Sequence, residues 1–167
     1  MSVALTQNEL KELYNKDFPL WVEINANLLR EGKYDKVDWE NLIEEIEDMG
    51  LRHLEACISY LAIILEHLYK WDYLKDIADK TANEGRGGHK WIKSIENSRI
   101  KLKALYRKYP SLKYKTPAEI DKAWIDAKAE LEVWLNDNGY SPEQFNIPED
   151  CPYTYEEAMN RDLRKES

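Results

Sequence analysis

The sequence predicts an all-α protein, and three observations carry that prediction. Apolar residues recur at steps of three and four over long stretches. Helix start and stop signals stand at regular intervals, and no stretch alternates in the manner of a strand. Pro and Gly number only six each and are clustered. The predicted architecture is an antiparallel up-and-down bundle of about four main helices, followed by short C-terminal helical turns. A chain of 167 residues suits one domain with a sizeable core. The expected organisation is a single helical domain over 1–167, with a core bundle over about 7–139 and a C-terminal wrap and tail over 140–167.

Thr6-Gln7-Asn8-Glu9 reads as a capping box opening a short first helix to about Asn15. Asp17-Phe18-Pro19 restarts the chain with proline in a first turn, where its missing N–H costs nothing. The second helix carries Trp21, Ile24 and Leu28 and stops at Gly32. Asp38 is the N-cap of a long third helix. Its apolar track runs through Trp39, Leu42, Ile43, Ile46, Met49, Leu54, Cys57, Leu61, Leu65, Leu68 and Trp71. Gly50 is the weak point of that helix, at about 1 kcal/mol relative to Ala. Thr81 to Lys90, TANEGRGGHK, reads as a loop. A further helix carries Trp91, Ile95, Leu102 and Leu105 and ends at Pro110. Thr116-Pro117-Ala118-Glu119 reads as another capping box, before a helix with Ile120, Trp124, Ala127, Leu131 and Leu135 that closes at Asn138-Gly139. In the Pro-rich tail, Ser141 with Gln144 and Thr154 with Glu157 mark short helical turns.

Several function classes are disfavoured by composition. MSVALTQNEL has no basic region followed by an apolar one, so no secretory signal is read there. The longest apolar run, LAIIL, is far short of the roughly 18 residues a membrane span needs. A soluble, cytoplasmic protein is expected, and Cys57 and Cys151 fit it as reduced thiols outside any CxxC pair. Net charge is −8. Residues 81–115 are basic, between two acidic segments. Arg86, Lys90, Lys93, Arg99, Lys101, Lys103, Arg107 and Lys108 could form a nucleic-acid stripe, but an acidic whole repels a polyanion. Compensation by acidic neighbouring helices is the simpler reading, so neither nucleic acid nor membrane is expected as a partner.

The segment DWENLIEEIEDMG, Asp38 to Gly50, concentrates carboxylates. At 100° per residue Glu40, Glu44 and Asp48 fall on a polar face and Glu45 on its flank, whereas Glu47 lies within about 40° of Ile43 and Leu61, at the border of the apolar stripe. A di-iron bundle needs Glu-x-x-His, and none of the three histidines has Glu three positions earlier. His53 and His67 fall on the apolar side but about 21 Å apart along a helix, too far to share a metal. Each is read as a core-edge histidine. Glu44-Glu45-x-x-Asp48 resembles half of the magnesium-binding pattern of all-helical nucleotide pyrophosphohydrolases, but the second Glu-x-x-Asp is missing. GRGGHK lacks the spacing and preceding strand of a phosphate-binding loop.

The order of blocks carries a resemblance. DWENLIEEIEDMG is followed by LEHLYKW (Leu65 to Trp71), WIKSIENSR (Trp91 to Arg99), YPSL (Tyr109 to Leu112) and PEDCPYT (Pro148 to Thr154). The chain resembles the bacterial family known as domain of unknown function 29, common in cyanobacteria, over roughly Tyr14 to Thr154. The GRGG insertion departs from it. The resemblance implies an all-helical fold and no particular activity.

Two functional readings follow. The favoured one is a non-enzymatic helical interaction or scaffold domain, with a protein partner or self-association, possible as a homodimer, and no cofactor or metal. It rests on the excess of Trp and Tyr, types enriched at interfaces, and on the lack of a complete catalytic constellation. The rival is a metal-binding or hydrolytic bundle centred on Glu47, His67 and Arg99. Arg99 interrupts an apolar track and is expected to be partly buried and paired with an acid, Glu47 first. The buried polar candidates are therefore Glu47, Arg99, His67 and His53, with no catalytic residue assigned.

Overall fold

The computed structural model describes residues 5–78 and 88–167. Among these the chain is all-α and contains no strand. The helices are α1 Gln7–Lys16, α2 Phe18–Arg30, α3 Trp39–Tyr73, α4 Lys75–Ala78, α5 His89–Lys108, α6 Leu112–Lys115, α7 Ile120–Asp137 and α8 Tyr155–Asn160, with single 3-10 turns between several of them. Most of the predicted loop at 81–90 lies outside the described residues.

Local chemistry explains most boundaries. The Thr6 hydroxyl accepts from the Glu9 N–H while the Glu9 carboxylate accepts from the Thr6 N–H, which completes the box that opens α1. Thr154 and Glu157 do the same for α8. Gly32 and Gly139 adopt positive φ after α2 and α7. In each case the next residue's N–H reaches back five residues, Lys33 to Leu28 and Tyr140 to Leu135, to satisfy an orphan carbonyl. The helix α3 runs unbroken through Gly50. Thr116 departs from its predicted capping role. Its hydroxyl donates to the Leu112 carbonyl at 2.7 Å, because the chain is already helical from Leu112, and α7 opens at Ile120 without a side-chain cap.

The chain divides into two compact units, 1–51 and 52–167, and α3 supplies residues to both. The first unit has a small core. Among its described residues Leu10, Trp21 and Val37 are the buried apolar ones, with buried Asn25 and Asp38. Tyr14 packs edge-on against Phe18 and Trp21.

The second unit holds the main core. Cys57, Leu61, Ile64, Leu65 and Leu68 of α3 join Ile92, Ile95 and Leu102 of α5 and Trp124, Ala127, Leu131 and Leu135 of α7, all essentially inaccessible. Each large side chain so buried contributes about 1.5–3 kcal/mol. The tail adds Tyr153, Ala158, Met159 and Leu163 to the same cluster. Polar aromatic tips at the part-buried edge of this core are hydrogen-bonded. The Trp124 indole donates to the Pro148 carbonyl at 3.0 Å, and the Tyr106 and Tyr155 hydroxyls meet at 2.7 Å.

Candidate functional site

In the first unit a polar node fixes the start of α3. The Trp21 indole N–H donates to Asp38 Oδ2 at 2.9 Å, and the Asn41 side-chain amide donates to the same oxygen at 2.7 Å. Asn25 Oδ1 accepts from the Asp38 N–H at 2.9 Å while its amide donates to the Trp21 carbonyl at 2.8 Å. The buried Asp38 carboxylate is therefore held by donors from two elements, as a buried charge must be. On the neighbouring face Lys11 pairs with Glu40 at 2.9 Å, and the Tyr14 hydroxyl donates to Glu45 at 2.6 Å. That hydrogen bond to a carboxylate, with burial and the charge of Glu45 adding to it, pushes the Tyr14 pKa up to about 12.

The apolar stripe of α3 changes character along its length. Leu61 and Leu65 are completely covered, whereas Trp39, Ile43, Ile46 and Met49 are 45%, 51%, 57% and 61% exposed. The first half of the track is thus an open apolar face. Glu47 belongs to it and is exposed. Its predicted burial is corrected for the same reason: among the described residues nothing covers the stripe beside it.

The other candidates lie in the second unit at separate places. His53 is exposed as well, and its ring stacks on Tyr109 with centroids 4.2 Å apart. His67 is half-buried. A carbonyl can only accept, so His67 Nδ1 carries the proton it donates to the Ile63 carbonyl at 2.7 Å. Beside it lies a group that sequence reasoning missed. Lys70 is buried and pairs with Glu66 at 2.7 Å, with its ammonium 4.7 Å from the Trp134 ring centroid. The i,i+4 spacing of Glu66 and Lys70 inside an apolar run was the available signal.

Arg99 is half-buried, and its hydrogen bonds go to main-chain carbonyls in place of the expected Glu47. Nε donates to Ala158 at 2.8 Å and Nη2 to Glu157 at 3.4 Å. Carbonyls in the last turn of α8 carry partial negative charge, which a guanidinium complements, although the Glu157 carbonyl also accepts from the Arg161 N–H at 3.1 Å. Burial lowers the Arg99 pKa against the pull of nearby Glu96 and Asp162. Arg99 opens onto a cleft that Glu96, Lys103, Asp162 and Arg164 also line, and His67 does not. Arg164 is already bonded through two nitrogens to Glu96. Among the described residues no three of His, Cys, Asp or Glu converge as metal ligands.

Cys57 is fully buried and free, and burial raises its pKa. The thiol of Cys151, also free, donates to the Tyr153 carbonyl at 3.3 Å. Among the described residues no helix is long and apolar enough to cross a membrane.

Among the described residues the protein is all-helical, with an exposed apolar stripe on the first half of α3. The chain belongs to the family described as domain of unknown function DUF29, whose profile matches residues 13–163. No curated protein and no solved structure matches it.

Proposed function

We propose that this protein is a non-enzymatic helical interaction domain, and that its working surface is the first half of α3. One observation carries the reading: Trp39, Ile43, Ile46 and Met49 form one apolar stripe at helical spacing and stay about half exposed. Scattered surface apolar residues are ordinary, but a contiguous stripe on one helix is the pattern of a surface that a partner covers. The small core of the first unit supports the same reading, since a partner's burial adds what its own packing supplies sparingly.

The test is a photo-reactive amino acid placed at position 46 in cells that make the protein. A discrete adduct of defined mass is expected, lost when Ile43 and Met49 are both changed to Ser with helicity retained. Absence of any adduct, with probes at 39 and 43 equally silent, would overturn the reading.

A further inference from the structure

We infer that the exposed face of α5 binds double-stranded nucleic acid through its phosphates. The sequence already marks a basic stripe here, and an acidic whole with acidic neighbouring helices counted against it. The structure changes both terms. Residues 1–51 hold twelve acids and five bases, so residues 52–167, which carry α5, account for only −1 of the chain's −8. Within them, Asn97 to Lys115 contains seven bases and no acid.

The compensating ion pairs do not form either. Lys93, Lys101, Lys103, Arg107 and Lys108 are all exposed. Among the described residues none of the five pairs with a carboxylate. Bases on other elements do: Lys11 with Glu40, Lys16 with Glu12 and Lys128 with Glu149. At 100° per residue the five fall on one arc of about 160°. Lys93, Asn97, Ile100 and Ala104 run along its middle, with Lys103 and Arg107 on one side and Lys101 and Lys108 on the other. Glu96 is the one acid of α5, and both its oxygens are bonded by Arg164.

The character of the face selects among polyanions. A protein partner is anchored by apolar and aromatic side chains at a charge-poor centre. Of the large apolar residues of α5, Ile92, Ile95 and Leu102 are buried in the core, and Ile100 alone is exposed. A membrane surface asks for an apolar face too. Nucleic-acid interfaces are instead polar and strongly positive, with phosphate as the main contact. From Lys93 to Lys108 the face runs about 22 Å at 1.5 Å per residue, about two-thirds of a duplex turn. An α-helix fits a major groove about 12 Å wide, and the two flanking rows of bases would meet its two phosphate walls. Phosphate contacts carry no sequence information, so the binding is sequence-tolerant.

The probe is a fluorescein-labelled DNA duplex of about 20 base pairs, titrated with the full chain at about 50 mM salt and followed by anisotropy. A Kd of about 1–100 μM is expected, alike for two unrelated sequences. With five phosphate contacts, log K should fall against log salt with a slope of about −4 to −5. Lys101→Glu/Arg107→Glu/Lys108→Glu, folded by circular dichroism, should bind at least about tenfold more weakly and halve that slope. Arg30→Glu/Lys36→Glu/Lys122→Glu makes the same change in net charge away from α5 and should bind as the unaltered chain does.

No binding at about 100 μM protein, or undiminished binding by the α5 variant, would overturn the inference. Equal loss in the control variant would do so too, because net charge and not the face would then be acting. So would tighter capture by phosphatidylserine vesicles or by a polyglutamate peptide than by the duplex, which would give the face to a membrane or to an acidic protein. The α3 stripe lies in the other compact unit, so this inference stands or falls apart from the interaction reading.

Discussion

The Tyr153 hydroxyl donates a 2.7 Å hydrogen bond to Asp72 Oδ2, across 81 residues of chain. Arg161 adds two bonds to the same carboxylate, at 2.8 and 2.6 Å, and also bonds Glu166. Two parts of the tail, at Tyr153 and Arg161, are thereby tied to the last turn of α3.

Asp72→Ala should release that tie. The loss expected is about 1.5–3 kcal/mol, the range for hydrogen bonds to a charged group, measured by urea unfolding. The tie is also acid-sensitive. Burial pushes the Asp72 pKa up, but the bonds from Arg161 and Tyr153 more than reverse it, so the carboxyl ends below its usual value. A lowered folded pKa means stability present above the ordinary value of about 3.9 and lost as pH falls through the lower folded one. Amide exchange of residues 153–166 should therefore accelerate only in that acid range. Acceleration already at neutral pH would contradict it.

Asp38→Ala should loosen the first unit. It strands the buried Trp21 indole N–H and removes the N-terminal acceptor of α3, at a cost of about 1–3 kcal/mol. Exchange of the α1 and α2 amides is the readout, and the Trp21 emission should shift to the red.

Gly50→Ala should stabilise. Gly50 sits inside an exposed stretch of helix, and a Cβ there meets nothing within 4 Å. The gain expected is about 0.5–1 kcal/mol, from lower chain entropy in the unfolded state. Thermal unfolding would show it as a higher midpoint.

Gly88→Ala should do the opposite. Its φ is +72°, and a Cβ would stand 2.8 Å from Trp91 Cε3 and 3.1 Å from Trp71 Cε3. The left-handed backbone alone costs about 1–2 kcal/mol for an L residue, and two buried indoles cannot yield cheaply. An unchanged midpoint would contradict both the backbone and the packing cost.

How much of this was readable in the sequence depended on range. The boxes at Thr6 and Thr154 and the stops at Gly32 and Gly139 are local events, settled by residues within five positions of one another. Thr116 had the same signature and failed, because the chain is already helical from Leu112 and the hydroxyl donates to the Leu112 carbonyl. Periodicity showed which side of α3 is apolar. It carries no information about whether anything lies on that side, so Ile46 and Leu61 looked alike while one is open and the other sealed. The partner of Arg99 was unreadable for another reason. Main-chain carbonyls are present at every residue, so a guanidinium that binds them leaves no mark in composition. The tie of Asp72 to Arg161 spans 89 residues and has no spacing rule at all.

The node of Trp21, Asn25, Asp38 and Asn41 also constrains inheritance. Each member supplies a donor or acceptor that a named other member uses, so a change at one position leaves an orphan at another. Such a quartet drifts poorly one residue at a time. Lineages that lose the aspartate should be found to have lost the indole as well.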